Sequence, residues 1–308
     1  MKNLRQEFAD TMLEVGQVDD RLVVMVGDIS HGVLQDFAKH CPGRYFNIGI
    51  CEPTIVNMAA GVAKSGLIPV VHTIAPFIIE RAYEQIKLDF GYQNFSGNFI
   101  SVGSAFDYAQ LGCSHHCYTD LSILAHFKRA QLFFPGSCLE LNKLFKQNYD
   151  KPYINYFRLP NISHDVEFLD SEIETGKAIV ARTGKDMTIV VIGPLLKTAL
   201  EAADLFLELG IEVEVIYAHT IKPFDQKTVK DSVEKTKHVI TLEEASAHDG
   251  LFNLVLKATI DLSGVLYIQM AIEDFIHGYG SYAELCQKVG FTPQKIMQLA
   301  KEKFSDLF

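Results

Sequence analysis

Hydrophobic positions along the chain form short continuous runs, and amphipathic stretches with helical spacing lie between these runs. The run at residues 21–26 (RLVVMV) is rich in β-branched side chains and does not alternate with polar ones, which is typical of a strand buried on both faces. Strands are predicted at residues 21–26, 44–50, 67–71, 99–102, 130–134 and 153–157, and helices at 3–16, 33–40, 54–64, 76–90, 120–126 and 138–148. This alternation predicts a mainly parallel sheet with helices on both faces.

The same alternation resumes after residues 161–176, a polar segment without helical or strand periodicity that is predicted to be a linker. Beyond it, strands are predicted at residues 187–192, 212–216, 238–242 and 265–270, and helices at 196–209, 226–236, 251–262 and 293–304. The predicted fold class is therefore α/β with two doubly wound domains, a mainly parallel-sheet domain at residues 1–160 and a smaller α/β domain at 177–308.

Composition narrows the class of protein. The apolar fraction of 48% and the charged fraction of 21% are those of a globular protein with a full core. The net charge of −10 argues against a nucleic-acid partner, because phosphate binding needs a basic surface. No apolar run approaches the ~20 residues of a membrane span, so no membrane partner is expected. The six cysteines are scattered and the first residues lack the apolar core of a signal peptide, which predicts a cytoplasmic protein.

A single carboxylate, Glu52, follows the apolar and glycine-containing stretch at residues 47–51 and precedes a helix of small and apolar residues. No cation lies near it in the sequence, so we expect a partly desolvated carboxyl group, which favours the protonated form. Such a group is suited to hydrogen bonding with a ring nitrogen. The alternative is a glutamate at a helix start that interacts with the helix dipole.

Three further features fall at predicted carboxyl ends of strands, the edge at which open parallel sheets bind ligands. Asp28 lies in the turn after the first strand. Arg158 ends the last strand of the first domain and is either a phosphate or carboxylate clamp or the partner of an acidic neighbour. The polar turn at residues 243–250 (EEASAHDG) either faces a partner or caps the helix that follows.

The densest polar cluster is the segment at residues 113–117 (CSHHC). Its spacing does not match known zinc loops, so a metal site is not favoured. His115 and His116 are instead interpreted as hydrogen-bonding or proton-transfer groups in a cleft, with a surface histidine pair as the alternative. Phe77 and Tyr83 lie six residues apart on one predicted helix, so one ring can stack on a planar ligand while the other packs in the core, or both belong to the core.

Several separated segments, in their order along the chain, resemble the C-terminal half of transketolases. These segments are VMVGDIS, NIGICEP with AAGVAKSGLIPVV, PFIIERAYEQI, LGCSHHCYTDLSIL, YFRLP, HTIKPFD, EEASAHDG and EDFIHGYGSYAEL. The resemblance covers nearly all 308 residues, and deoxyxylulose-phosphate synthases and the beta subunits of 2-oxo acid dehydrogenases share its outline. It implies a pyrimidine-binding domain followed by a transketolase C-terminal domain.

The resemblance implies a thiamine diphosphate site. Glu52 matches the glutamate that hydrogen-bonds the aminopyrimidine ring, and Phe77 matches the aromatic residue that stacks on it. Asp28 matches the acidic residue of the turn beneath the thiazolium ring. The implied cofactor-binding residues are Asp28, Ile50, Glu52, Phe77, Arg81 and Tyr83.

Substrate contacts are implied in the same way. The implied substrate-binding residues are His115, His116 and Arg158. His115 falls on the histidine that contacts the bound sugar, His116 follows it, and Arg158 matches an arginine that holds the acceptor phosphate. The implied catalytic residues are Glu52 and His115, and no metal ligand is implied in this chain. Leu111 stands where transketolases carry an aspartate and Cys113 where they carry proline, so the sequence does not identify the sugar.

The chain contains no Gly-Asp-Gly motif of the kind that, with a downstream asparagine, holds Mg²⁺ and diphosphate in this family. The resemblance therefore implies an N-terminal partner subunit that carries the diphosphate and Mg²⁺ site. It also implies self-association through the C-terminal half of this chain, an α2β2 assembly and no activity of this chain alone.

The implied reaction is transfer of a two-carbon ketol unit from a ketose phosphate to an aldose. The alternative within the same class is a deoxyxylulose-phosphate-synthase-like or 2-oxo acid dehydrogenase beta-type subunit that acts on pyruvate or another 2-oxo acid. A homologue without catalytic activity is a further alternative, disfavoured by the presence of Glu52, Phe77 and His115 together. A flavodoxin-like binding module is disfavoured by the second domain and by the lack of a glycine-rich phosphate loop.

Overall fold

The structure is a computed structural model that describes residues 2–308. Its strands are β1 (Leu22–Val26), β2 (Tyr45–Asn47), β3 (Ile68–Ile74), β4 (Gly97–Val102), β5 (Ala130–Phe133), β6 (Ile154–Leu159), β7 (Ile179–Arg182), β8 (Met187–Val191), β9 (Val213–Tyr217), β10 (Thr220–Lys222), β11 (His238–Ser246) and β12 (Leu266–Ile272).

Its α-helices are α1 (Leu4–Val18), α2 (Gln35–His40), α3 (Glu52–Lys64), α4 (Ala75–Ile79), α5 (Tyr83–Gln85), α6 (Asp120–Ala125), α7 (Cys138–Asn148), α8 (Leu196–Leu207), α9 (Gln226–Thr236), α10 (Leu251–Thr259), α11 (Tyr282–Val289) and α12 (Pro293–Lys303). Segment Ile86–Tyr92 is π-helical, and Cys113–His115 forms a single 3-10 turn. None of the helices in residues 2–308 is both long enough and apolar enough to cross a membrane.

The first sheet has seven strands in the order β10-β5-β6-β4-β3-β1-β2, and the pairs among β1 to β6 are parallel. Alternate residues of β1 enter different apolar layers. Val24 packs in the layer that contains Phe8 of α1, whereas Met25 packs in the layer that contains Ile55 of α3. Because helices cover both faces, every residue of β1 is buried, which explains the continuous apolar run in the sequence.

The second sheet has five strands in the order β12-β11-β8-β9-β7, and only β7 runs antiparallel to its neighbour. Helices α8 and α12 pack in one apolar layer, and α9 and α10 pack in the other. Each of these layers also contains residues of the first sheet, so the apolar core is continuous between the two domains. The predicted α/β fold class with two mainly parallel sheets is confirmed.

Strand β10 connects the two domains and was not predicted. It follows β9 of the second sheet but pairs antiparallel with β5 of the first, Thr220 opposite Phe133 and Lys222 opposite Leu132. The ammonium group of Lys222 donates to the carbonyl oxygens of Ala125 at 2.8 Å and Phe127 at 2.6 Å. A strand of three residues leaves no periodicity in the sequence, which explains why the pattern did not reveal it. Strand β7 and helix α11 were missed as well.

The prediction of one helix at residues 76–90 was wrong. The backbone N–H groups of Glu80 and Arg81 both donate to the carbonyl oxygen of Pro76, at 2.9 and 3.0 Å, so the helix widens at this point. Ala82 then leaves helical geometry with φ −105° and ψ 18°, and α5 and the π-helical segment follow it. Phe77 and Tyr83 therefore do not share a helix.

Candidate active site

Glu52 begins α3 at the edge of the first sheet, and its side chain is only 1% exposed. One carboxylate oxygen accepts a hydrogen bond from the guanidinium of Arg81 at 2.6 Å, and the other accepts one from the hydroxyl of Thr73 at 3.3 Å. The expected desolvation of Glu52 is observed, but the fold supplies a cation that the neighbouring sequence does not. The turn after α4 returns Arg81 to the helix start, a contact that sequence distance did not suggest.

Arg81 also contacts the ring of Phe77, which lies on α4. The central carbon of its guanidinium is 4.0 Å from the ring centroid, an arrangement typical of a cation–π contact. The Arg81 side chain remains 43% exposed, whereas the carboxylate that it pairs with is buried. A planar group with N–H donors thus lies between the Glu52 carboxylate and the aromatic ring.

His115 lies beside the same aromatic ring. It ends the 3-10 turn Cys113–His115, and its imidazole is 5.2 Å from the centroid of Phe77 in an edge-on orientation. The hydroxyl of Ser114 is 3.0 Å from Nδ1 of His115, and the ring of Tyr108 is 6.1 Å away. His115 is half-buried, so a face of its imidazole remains available to a ligand.

His116 has a different environment from its neighbour. Its side chain is buried, and its Nδ1 lies 2.7 Å from the hydroxyl of Tyr118. Burial, together with the nearby charge of His115, lowers the pKa of His116. Its ring lies near those of Tyr118 and Phe106.

Asp28 and Ile50 are exposed at the edge where Glu52 lies. Asp28 adopts the left-handed conformation with φ 56°, and its carboxylate accepts a hydrogen bond from the amide of Asn47 at 3.0 Å. Ile50 is 70% exposed. Tyr83 is half-buried, and its ring packs 5.9 Å from that of Phe127.

His72 supports the turn that carries Asp28 and was missed in the sequence. It lies buried in β3, with Nε2 2.8 Å from the hydroxyl of Ser30 and Nδ1 2.9 Å from the carbonyl oxygen of Ile100. Burial lowers the pKa of His72 to about 3, so the ring is neutral and bridges the turn and the sheet. A histidine within the apolar run of residues 70–74 was the available signal.

Arg158 is the partner of an acidic residue, which is the second of the two alternatives predicted for it. Its side chain is 2% exposed, and its Nε forms an ion pair with the Asp120 carboxylate at 3.1 Å. Its Nη2 donates to the carbonyl oxygens of Glu244 at 2.8 Å and Cys117 at 3.1 Å. A guanidinium buried among these partners offers no surface to an acceptor phosphate, so that assignment is corrected to a structural ion pair.

The turn at residues 243–250 caps a helix. The carboxylate of Glu243 accepts hydrogen bonds from the backbone N–H groups of Leu251 and Phe252 at the start of α10. Burial raises the pKa of Glu243 to about 7, although both hydrogen bonds oppose the rise. Within residues 2–308, no group of three or more His, Cys, Asp or Glu side chains is arranged to hold a metal ion.

Comparison with known proteins agrees with this arrangement. Residues 1–163 match the model of the transketolase pyrimidine binding domain, and residues 176–296 match that of the transketolase C-terminal domain. The chain is 30% identical over 303 residues to the 6-deoxy-6-sulfo-D-fructose transketolase subunit SqwH of Clostridium sp. (strain MSTE9), covering 97% of this chain and 94% of that protein. It is also 30% identical over 304 residues to an apulose-4-phosphate transketolase subunit of Phocaeicola vulgatus, covering 97% of this chain and 96% of that protein.

A solved structure described as a split gene transketolase, inactive beta4 tetramer, superposes with a TM-score of 0.89 at 27% identity and covers 98% of both chains. The 1-deoxy-D-xylulose-5-phosphate synthase of Heliobacterium modesticaldum is 30% identical over 305 residues, but the match covers only 46% of that protein. The fold and site define a two-domain α/β protein with a buried acid and an aromatic ring at a sheet edge. The chain belongs to the transketolase family and corresponds to the C-terminal subunit of a split transketolase.

Transketolases depend on thiamine diphosphate, and the residues at the sheet edge fit its pyrimidine part. The fit rests on the guanidinium of Arg81, a planar group that donates to Glu52 at 2.6 Å and lies 4.0 Å from the ring centroid of Phe77. An aminopyrimidine is likewise planar and needs the same two contacts, a carboxyl group at its edge and an aromatic face. This chain therefore has the chemistry to hold that ring.

Proposed function

We propose that this chain supplies the pyrimidine half of a thiamine diphosphate site in a two-subunit transketolase. The complex transfers a two-carbon ketol unit from a ketose to an aldose. The observation that carries the proposal is the convergence of Glu52, Arg81, Phe77 and His115, with the buried carboxylate and the aromatic ring on either side of the guanidinium. We further propose the domain limits 1–160 and 177–308, joined by a linker at 161–176.

Each residue has a separate task in this proposal. Thiamine diphosphate, when bound, accepts the electron pair released when the bond beside the donor carbonyl breaks. Glu52 shares a proton with a nitrogen of the pyrimidine ring and so sets the protonation state of that ring. Phe77 holds the ring by stacking on its face. Asp28 and Ile50 contact the cofactor from the exposed edge, and Arg81 and Tyr83 border the site.

His115 acts on the substrate. Its half-buried imidazole lies 5.2 Å from the Phe77 ring, which places it within reach of a sugar bound next to a ring stacked there. An imidazole can donate a hydrogen bond to a sugar hydroxyl or accept one from it, so His115 orients the donor and transfers a proton. His116 contributes indirectly, because its buried ring packs behind the same turn.

We propose an N-terminal partner subunit that binds the diphosphate and Mg²⁺, and an α2β2 complex in the cytoplasm. Large apolar side chains support a partner surface near Glu52, since Ile50 is 70% exposed, Met58 43%, Leu88 47% and Tyr92 81%. The names of the two transketolase relatives describe them as subunits, and the superposed split transketolase is described as an inactive tetramer of beta chains.

For the donor we propose a ketose with an anionic group. The two relatives are named for a sulfonated fructose and for apulose 4-phosphate, both of which are ketoses that carry such a group. The resemblance to 1-deoxy-D-xylulose-5-phosphate synthase favours pyruvate as the alternative donor. Because Arg158 is buried and paired, the anionic group is bound by other residues of the complex.

The test is reconstitution with the partner subunit, thiamine diphosphate and Mg²⁺, followed by assays with ketose phosphates, a sulfonated ketose and pyruvate as donors. We expect ketol transfer from an anionic ketose and a loss of at least about 100-fold in kcat for Glu52→Gln. Glu84→Gln, an exposed glutamate on α5, is the matched control and should retain activity. Turnover of pyruvate but not of any ketose would support the alternative donor. Turnover that is unchanged in Glu52→Gln would show that this chain does not contribute the catalytic acid, as expected for a homologue that has lost its own chemistry.

A further inference from the structure

The loop that carries His115 is attached to the second domain rather than only to its own sheet. This loop, residues 103–118, follows β4 and returns on itself, and the N–H of Cys117 donates to the carbonyl oxygen of Ala105 at 2.7 Å to close its base. At one end, the hydroxyl of Ser104 donates to the Glu244 carboxylate at 3.2 Å. At the other end, the N–H of Ser246 donates to the carbonyl oxygen of Tyr118 at 2.9 Å.

Glu244 joins three segments of the chain. It belongs to β11 of the second sheet, and its side chain is 1% exposed. One carboxylate oxygen accepts from Ser104 in the loop, and the other accepts from the hydroxyl of Tyr282 on α11 at 2.5 Å. Burying a carboxyl group is costly, and the nearby positive charge of Arg158 and these two hydrogen bonds stabilise it.

Arg158 links the same strand to the other end of the loop. Its Nη2 donates to the main-chain carbonyl of Glu244 at 2.8 Å and to that of Cys117 at 3.1 Å. Cys117 comes two residues after His115, so the guanidinium connects the second domain to the base of the loop that carries His115. The Asp120 ion pair holds this guanidinium in place.

Aromatic contacts complete the attachment. The ring of Tyr282 stacks on Phe106 of the loop with centroids 5.2 Å apart and an angle of 18° between the planes. Tyr279 covers Gly112, at which an added Cβ would lie 2.6 Å from the Tyr279 ring. The second domain thus contacts the loop through Glu244, Ser246, Tyr279 and Tyr282.

We propose that Glu244 and Tyr282 are positioning residues for the transketolase reaction, and that the C-terminal domain fixes the loop that presents His115 to the sugar. Neither residue touches the substrate, so both act through the loop, on the sugar affinity and not on the cofactor site. The inference rests on the proposed role of His115 in sugar binding.

The first experiment uses the full chain without partner or sugar, and follows amide hydrogen exchange in residues 103–118. Glu244→Ala removes the bond to Ser104 at the base of the loop, and Tyr282→Phe removes a bond that holds the Glu244 carboxylate in place for Ser104. Each should therefore raise exchange at Cys117 and its neighbours by about tenfold. Tyr267→Phe, which removes a tyrosine hydroxyl bonded to Thr259 elsewhere in the second domain, is the control and should leave this loop unchanged. Tyr282→Phe keeps the ring that stacks on Phe106, so it remains informative if Glu244→Ala does not fold.

The second experiment measures steady-state kinetics in the reconstituted complex with the donor ketose that the wild-type complex uses. Both variants should raise KM for the ketose about fivefold or more, with kcat within about twofold of wild type and thiamine diphosphate affinity unchanged. Glu244→Gln can still bond both hydroxyl groups and should restore most of the ketose affinity. Unchanged exchange in both variants, or an equal loss of cofactor affinity, would overturn the positioning role.

The two proposals fail in different ways. If His115→Ala leaves KM and kcat for the ketose unchanged, the sugar-contact role of His115 fails, whatever the exchange data show. If His115→Ala raises KM while Glu244→Ala and Tyr282→Phe leave both exchange and KM at wild-type values, the proposed function stands and the positioning role is refuted.

Discussion

Arg81 and Glu52 form an ion pair of 2.6 Å although they lie 29 residues apart in the sequence. The carboxylate is 1% exposed and the guanidinium 43%, so the pair stands at the boundary between core and solvent. The buried Glu52 carboxylate at the start of α3 therefore depends on Arg81 for a charged hydrogen-bond partner. This holds as long as no other donor occupies the space beside Phe77. This dependence leads to a stability prediction.

Arg81→Met should lower the free energy of unfolding by about 1–2 kcal/mol, because a buried carboxylate loses its charged partner while the exposed side of the pair limits the effect. Urea unfolding of the isolated chain measures this quantity. The double variant with Glu52→Gln should recover most of the loss, since no charge is then left unpaired. Equal stability of Arg81→Met and wild type would show that the ion pair contributes nothing.

The isolated chain should bind thiamine diphosphate only weakly and should not turn over a ketose. The sheet edge offers contacts for the pyrimidine ring, but residues 2–308 hold no cluster of metal-ligating side chains, and the diphosphate carries most of the cofactor's charge. Calorimetric titration of the chain alone, and then of its complex with the partner subunit, measures the difference in affinity. Strong binding and turnover by this chain alone would contradict the need for a partner.

The stability of the chain should depend on pH through Glu244. Burial raises the pKa of Glu244 to about 7 from its ordinary value of 4.5, with Arg158 opposing the rise. The unfolded chain therefore releases this proton before the folded chain does, and the contribution of Glu244 to stability decreases as pH rises from about 4.5 to about 7. The group contributes its full stability below this window.

Glu244→Gln removes the titration, so the difference in melting temperature, variant minus wild type, should increase from about pH 4.5 to about pH 7 and stay constant above about pH 8. Comparing two variants of one chain cancels the opposite trend of His72, whose buried ring resists protonation in acid. Melting curves at half-unit steps of pH provide the measurement. A difference that does not vary with pH would mean that the fold does not raise the pKa of Glu244 above its ordinary value.

His72 should affect the cofactor site without touching the cofactor. His72→Phe keeps an aromatic ring but removes the bonds to Ser30 and to the Ile100 carbonyl, and should cost about 1–3 kcal/mol of unfolding free energy. Because Asp28 and Ser30 both hold left-handed φ values, of 56° and 58°, the freed turn should relax. We expect weaker thiamine diphosphate binding by the complex, measured by titration, whereas His126→Phe at an exposed position should match wild type.

The sequence was informative where burial and periodicity determine structure. Residues 21–26 could be assigned to a doubly covered strand because helices cover β1 on both faces. The stretch before Glu52 also located the helix start, which the structure has at Glu52 itself. The sequence did not reveal contacts between residues that lie far apart along the chain. The ion pair of Arg81 requires the widened turn at Glu80, and β10 joins the first sheet only because the second domain lies beside β5.

The sequence left Arg158 with two alternatives for a similar reason. An arginine at a strand end is suited to both a substrate phosphate and a buried acid, and its neighbours in sequence do not decide between them. The deciding partner, Asp120, lies on α6, and the carbonyl of Glu244 comes from the other domain. Only the packing of the two domains brings these groups to the end of β6.

Two glycine-to-alanine substitutions should have opposite effects on stability. Gly112 has φ 72°, a left-handed conformation, and a Cβ there would meet the ring of Tyr279 at 2.6 Å. Gly112→Ala should therefore destabilise the chain by about 1–2 kcal/mol and raise KM for the ketose, because the turn of His115 must shift.

Gly61 lies exposed within α3 with nothing within 4 Å of an added Cβ. Gly61→Ala should stabilise the chain by about 0.5–1 kcal/mol, since alanine loses less backbone entropy in a helix. Urea unfolding of both variants tests the pair, and a Gly112→Ala variant as stable as wild type would show that the loop adapts without strain.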